Sequence, residues 1–161
     1  MLEGRHYQNA YVCDNLEAGI DWFRGRGLNR EPTIIPVDQR VLTPQGLKRQ
    51  KGRIGFIWIG ELQIELIENE IDEAGIYAGC RSNGPNSDGG PLRFHHICFG
   101  VDDWADFRKR VDSQEFPLAM ERPEDDPGAL KFLYLDARKV FGHYIEYTWM
   151  PETMWEQIKA M

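Results

Sequence analysis

Apolar and polar positions change period several times along the chain, and each change marks an element. Residues 6–13, His-Tyr-Gln-Asn-Ala-Tyr-Val-Cys, suit a first strand. Asp14-Asn15 then offers a helix cap, and Leu16, Ile20 and Phe23 recur at helical spacing through Arg24. Gly25 and Gly27 are stop signals. Residues 29–50 carry Pro32, Pro36 and Pro44 among polar residues and are expected to be irregular, with Val41-Leu42 as a strand fragment. Residues 53–59 form a strongly apolar strand, Gly60-Glu61 a turn, and residues 62–68 another strand.

Residues 72–91 are rich in turn formers and poor in large apolar side chains, so they predict a linker or mobile loop. The pattern then restarts. Residues 94–101 predict a strand, residues 104–111 a helix, and a stretch with Pro117, Pro123 and Pro127 an irregular segment over 117–130. Residues 131–135 are a strand, 136–142 a turn region and 143–149 a last strand. A short terminal helix follows, with Pro151 in its first turn.

Strand side chains alternate faces, so His96, Cys98 and Gly100 share one side of their strand and Ile97, Phe99 and Val101 the other. The second set is apolar and wants a core. The first places a metal-capable imidazole before two small residues, which leaves space in front of it. By the same alternation His95 and His143 lie away from that face and read as structural.

The two halves repeat. Gln8-Asn-Ala-Tyr-Val-Cys-Asp-Asn lies over His96-Ile-Cys-Phe-Gly-Val-Asp-Asp at an offset of 88 residues. Phe56-Ile-Trp-Ile lies over Phe132-Leu-Tyr-Leu, and Ile64-Glu-Leu over Ile145-Glu-Tyr. Each half therefore reads strand, helix, variable segment, strand, turn, strand, and two such units complete one core. The division is 1–71, a linker over 72–91, and 92–161, within one structural domain. Gln8 and His96 open equivalent strands, and Glu65 and Glu146 interrupt equivalent apolar last strands. A carboxylate in mid-strand faces solvent or needs a partner, because burying it alone costs several kcal/mol. Matched in a repeat, the four side chains offer oxygen and nitrogen donors from four strands to one divalent cation. His6, two residues before Gln8 on the same face, takes its place if the register slips.

Composition narrows the function. The 161 residues are 42% hydrophobic and 12% aromatic, enough for a packed interior. The net charge of −7, from 19 basic and 26 acidic residues, argues against nucleic-acid binding. No apolar run approaches the ~18 residues of a membrane helix, and the N-terminus lacks a signal-peptide pattern. Cys13, Cys80 and Cys98 are odd in number and lack zinc-site spacing, which suits a reduced, cytoplasmic protein. Nothing near Cys98 marks it as a low-pKa nucleophile.

Over residues 5–150, and most specifically at Phe94-His-His-Ile and Gly142-His-Tyr-Ile-Glu-Tyr, the chain resembles the vicinal oxygen chelate superfamily. That superfamily includes glyoxalase I, methylmalonyl-CoA epimerase, extradiol dioxygenases and bleomycin-resistance proteins. The resemblance implies an α+β fold of two βαβββ modules, their curved mixed sheets enclosing a central metal cleft. It implies Gln8, Glu65, His96 and Glu146 as metal ligands, a set most like that of glyoxalase I. The epimerases have a second histidine at the opening position, the dioxygenases two histidines and one carboxylate. Asn9 departs from the family's aliphatic residue at its position. The implied cofactor is a divalent ion (Zn, Ni, Co, Mn, Mg or Fe).

The implied activity is that of a metal-dependent lyase or isomerase acting on a small oxygenated, or aromatic, metabolite through a metal-stabilised enolate or oxyanion. Glu146 is expected as a permanent ligand and Glu65 as the more mobile base, both catalytic. The alternatives are a ring-cleaving dioxygenase and a non-catalytic binder of the bleomycin-resistance type. Tyr144 and Thr148 share the face of Glu146, either touching substrate or serving as ordinary sheet-face residues. Phe56 and Trp58 alternate with Ile57 and Ile59, as Phe132 and Tyr134 do with Leu133 and Leu135. Either the aliphatic side packs under the helices and the aromatic side lines the cavity, or the reverse. The first arrangement makes Trp58 and Tyr134 substrate contacts, and Tyr144 joins them through the face it shares with Glu146. The partners expected are a small molecule and a second copy in a homodimer, the Trp155 helix contributing.

Overall fold

The computed structural model describes residues 4–80 and 90–160. The first half runs β1 (Arg5–Cys13), α1 (Leu16–Arg24), β2 (Thr33–Thr43), β3 (Gly46–Ile59) and β4 (Leu62–Asp72). The second runs β5 (Leu92–Gly100), α2 (Trp104–Val111), β6 (Leu118–Glu121), β7 (Lys131–Leu135), a short helix α3 (Arg138–Phe141) and β8 (Tyr144–Trp149). Helix α4 (Glu152–Ala160) follows. The order βαβββ thus occurs twice in a mixed α+β fold.

The strands close into a curved barrel in the order β1-β4-β3-β2-β6-β7-β8-β5, with β5 returning antiparallel to β1. Pairs β1–β4 and β5–β8 are parallel and the rest antiparallel. The repeat extends to register. Gln8 pairs with Gln63 and Ala10 with Glu65; His96 pairs with Tyr144 and Cys98 with Glu146.

Local chemistry sets each helix against the outside of the barrel. The Asn15 side chain caps α1 by accepting from Ala18 N at 2.8 Å, and Glu68 accepts from Leu16 N at 2.6 Å. Leu16 and Ile20 then pack on Ile57, Ile64 and Leu66. Asp103 caps α2 by accepting from Asp106 N, and Phe107 and Val111 pack on Leu133, Leu135 and Ile145. Each such side chain contributes on the order of 1.5–3 kcal/mol through its burial. The aliphatic faces therefore lie under the helices, and Phe132, Tyr134 and Tyr144 turn into the barrel.

Several expectations need correction. Residues 29–50 are not irregular: they build β2 and the first part of β3, a long hairpin turned at Gly46 with φ of 100°. Its strand character was hidden because β2 is largely exposed and so lacks a clean apolar alternation. Pro36 is tolerated there because, among the described residues, β2 meets β6 only where Leu42 pairs with Glu121. The segment 117–130 contains β6, four residues long, and 136–142 contains α3. The linker expected over 72–91 begins inside β4 and then buries Ile76 and Tyr77 in the barrel interior, with Asp72 accepting from Gly75 N and Tyr77 N. Residues 81–89 of that linker lie outside the described residues. Finally, Phe56 pairs with Glu65 whereas Tyr134 pairs with Glu146, so Phe56 matches Tyr134 and the third-strand alignment shifts by two residues. No helix among the described residues is long and apolar enough to cross a membrane.

Candidate metal centre

Glu65 on β4, His96 on β5 and Glu146 on β8 meet inside the barrel, their candidate ligand atoms within 4.8 Å of one another. All three are buried, at 7%, 0% and 7% exposure. Strand pairing brings them together: Glu65 and His96 both flank Ala10 of β1, and Glu146 stands beside Cys98, two residues beyond His96. His96 Nε2 lies 2.9 Å from Glu146 Oε2 and 3.3 Å from Glu65 Oε2. The ring is aligned on neither oxygen, and His96 Nε2 and Glu65 Oε2 are left without a formal hydrogen bond.

Burial alone would lower the His96 pKa, but the Glu146 and Glu65 carboxylates beside Nε2 outweigh it and push it up to about 9. Burial raises the Glu65 carboxyl above its ordinary range, opposed by His96 and reinforced by the Glu146 charge. The cluster without a cation is thus an imidazolium held between two carboxylates. Its chemistry also fits a divalent cation: a nitrogen and two carboxylates, buried together, with their candidate ligand atoms converging on one point.

Gln8 sits one pair further along β1, buried, its amide donating to Gln63 Oε1 at 2.7 Å. Gln8 Oε1 is buried without a partner, which leaves an oxygen donor in the same interior. His6 does not replace it. That ring is exposed and bonds the Asn9 side chain at 2.8 Å.

Tyr134 stands edge-on to His96, ring centroids 4.9 Å apart. Tyr144 is buried beside His95, with the Arg138 guanidinium 4.5 Å from its ring. Trp58 is only half-buried and turns to the terminal helix, its indole N–H donating to the Ile158 carbonyl at 3.1 Å. Thr148 is buried and bonded to the Tyr7 hydroxyl at 2.9 Å. The Cys98 thiol, 3.5 Å from that hydroxyl, is pushed well above its ordinary pKa by burial. It is a packed thiol held in its protonated form by burial.

Two bulges overturn the strict alternation. In the β1–β5 pairing the register slips between His6 and Gln8 and again between Ala10 and Tyr11, so Tyr7 and His95 are the extra residues. Each turns inward beside Gln8 or His96, and His95 is as buried as His96, not on the opposite face. Gln63 was also missed, although its place two residues before Glu65 on one strand was a usable signal.

No family model and no curated protein sequence matches the chain. Solved structures do. A hypothetical protein from Bacillus halodurans is 17% identical, with a TM-score of 0.59 over 93% of this chain and 96% of its own. A variant methylmalonyl-CoA epimerase from Streptomyces coelicolor, in complex with 2-nitronate-propionyl-CoA, is 16% identical, with a TM-score of 0.59 over 91% of this chain and 97% of its own. The methylmalonyl-CoA epimerase from Mycobacterium tuberculosis is 14% identical, with a TM-score of 0.55 over 97% of each chain. At these identities the likeness is one of fold, the paired βαβββ architecture of the vicinal oxygen chelate superfamily to which those epimerases belong.

Proposed function

We propose that this chain is a divalent-metal-dependent isomerase or lyase of the glyoxalase-like type. Its substrate is a small oxygenated metabolite, acyl-CoA thioesters included, and it moves a proton on a carbon beside a carbonyl. The observation that carries this reading is the buried Glu65–His96–Glu146 cluster, its candidate ligand atoms all within 4.8 Å of one another. Glu65, His96 and Glu146 would hold the ion, with Gln8 as a fourth, weaker donor. A divalent ion there supplies Lewis acidity toward substrate oxygens.

The chain's own groups supply the rest. Glu65 is the base: burial raises its carboxyl, and its Oε2 meets His96 Nε2 at 3.3 Å, a longer contact than that of Glu146. It takes a proton from the carbon beside the carbonyl, and the C–H electron pair delocalises on to the carbonyl oxygen. Glu65 then returns the proton on the same face to the neighbouring carbon, which completes an isomerisation with a single base. Glu146, closer to His96, stays in place as the fixed carboxylate. Tyr134 and Phe132 wall the interior and exclude water.

Metal analysis of the purified protein tests the reading, together with solvent-deuterium exchange at the α-carbon of acyl-CoA and hydroxyketone substrates followed by NMR. About one divalent ion per chain and metal-dependent exchange are expected. A protein that takes up no ion and exchanges nothing is a binder instead. We also propose a homodimer, which the outer edge of β2, paired among the described residues only where Leu42 meets Glu121, supports; light scattering at micromolar concentration checks it. A reducing, cytoplasmic setting fits the free Cys13, Cys80 and Cys98.

A further inference from the structure

We infer that His95 is a positioning residue that sets the tautomer of His96, so that His96 turns a lone pair on Nε2 toward Glu65 and Glu146. The inference rests on the metal reading of that cluster.

The argument begins with the backbone. Consecutive residues of a regular strand face opposite ways, but the bulge at His95 turns both imidazoles inward. Their Nδ1 atoms come to 2.8 Å, and His95 Nε2 lies 3.1 Å from the Ile76 carbonyl oxygen. A carbonyl only accepts, so His95 Nε2 carries a proton and donates it. The His95 ring is enclosed by Tyr77, Tyr144 and Tyr134, with centroids at 4.8, 4.9 and 6.2 Å, and among the described residues no carboxylate is bonded to it. An uncharged ring in that setting holds one proton, already placed on Nε2, and its Nδ1 is a lone pair. The 2.8 Å contact then requires His96 Nδ1 to be the donor. One proton on Nδ1 leaves Nε2 of the uncharged His96 ring as the lone pair, 2.9 and 3.3 Å from the two carboxylates.

Without an acceptor at His95, the preference reverses. Uncharged His96 would keep its proton on Nε2, drawn by the Glu146 charge at 2.9 Å, because no acceptor is left beside Nδ1. Nε2 would then be blocked to a cation. The contact is particular to this half of the chain. The matching bulge residue Tyr7 also turns inward, but its hydroxyl goes to Thr148 and not to Gln8. The chain is anchored at Ile76, in the segment that follows β4, so the orientation of a β5 side chain is fixed from the other half.

The test compares the wild-type chain with His95→Asn, whose Oδ1 stands near the place of Nδ1 and keeps an acceptor, and His95→Phe, which keeps the ring and loses it. Histidine-¹⁵N spectra of the metal-free proteins at about pH 10, where His96 is uncharged, read the tautomer directly. The proton is expected on Nδ1 in wild type and His95→Asn and on Nε2 in His95→Phe. Zinc affinity measured by competition with a chelator should fall about 10- to 100-fold in His95→Phe and only a few-fold in His95→Asn. The wild-type spectrum decides even if His95→Phe does not fold: a proton on Nε2 there overturns the inference. So does a folded His95→Phe with unchanged tautomer and zinc affinity. If wild type takes up no zinc, the metal reading fails, and the tautomer readout still decides the role of His95.

Discussion

On the metal reading proposed above, ion uptake expels a proton, and His96 sets how much that costs at each pH. Its pKa of about 9 reflects Glu146 at 2.9 Å and Glu65 at 3.3 Å, which favour the imidazolium by more than burial disfavours it. At pH 7, about two units below that value, only about one molecule in a hundred offers a free Nε2 lone pair. Apparent affinity for Zn(II) or Co(II) should therefore be about 100-fold weaker at pH 7 than on its plateau above pH 9, or about 3 kcal/mol. It should rise about tenfold per pH unit between those limits. In the acid range the slope steepens as the raised Glu65 carboxyl also takes up a proton. Isothermal titration in two buffers of different ionisation enthalpy measures both quantities, and near pH 7 about one proton should leave per ion bound. Affinity that is flat from pH 7 to 9, with no proton released, would refute the reasoning: His96 would then be uncharged in the metal-free protein or no ligand at all.

The same groups set the pH dependence of folding. The folded pKa of His96 is above its ordinary value of about 6.5, so its contribution is fully present below pH 6.5 and lost as pH rises through about 9; Glu65, also raised, binds its proton more tightly in the folded state and acts in the same direction. Thermal melts of metal-free protein should show falling stability over that window, and a flat or rising profile contradicts it. His96→Ala should abolish zinc binding, whereas Gln8→Ala, which removes a neutral donor, should cost about tenfold or less in a chelator competition. Gly52 has no room for a side chain, since a Cβ there would lie 2.1 Å from the Glu68 carbonyl oxygen and 2.9 Å from Asn69 Cα. Gly52→Ala should therefore cost about 3 kcal/mol in denaturant titration, while Gly79→Ala, with open space around it, should change little.

Much of this architecture is legible in the chain because it rests on local pattern. Leu16, Ile20 and Phe23 at helical spacing behind Asn15, and the alternation through 131–135 and 143–149, each encode an element with no outside help. The repeat is legible too, since strand pairing converts matched sequence positions into matched register: Gln8 and His96, Glu65 and Glu146 occupy equivalent pairs. Two buried carboxylates and an imidazole had to find one another once the sheet closed. What local pattern could not carry was anything fixed by a partner far along the chain. The hairpin of β2 and β3 is polar and exposed, so its strands are specified by pairing and not by burial periodicity. Ile76 and Tyr77 look like linker residues until the barrel supplies an interior for them. The two β1–β5 bulges are the sharpest case. Alternation puts His95 opposite His96, but a bulge is a mismatch in count between two strands far apart in the chain, β1 ending at Cys13 and β5 beginning at Leu92, and neither strand encodes it alone. Only the closed barrel decides that both imidazoles face inward, because only there do Ile76, His95 and His96 form one chain of hydrogen bonds.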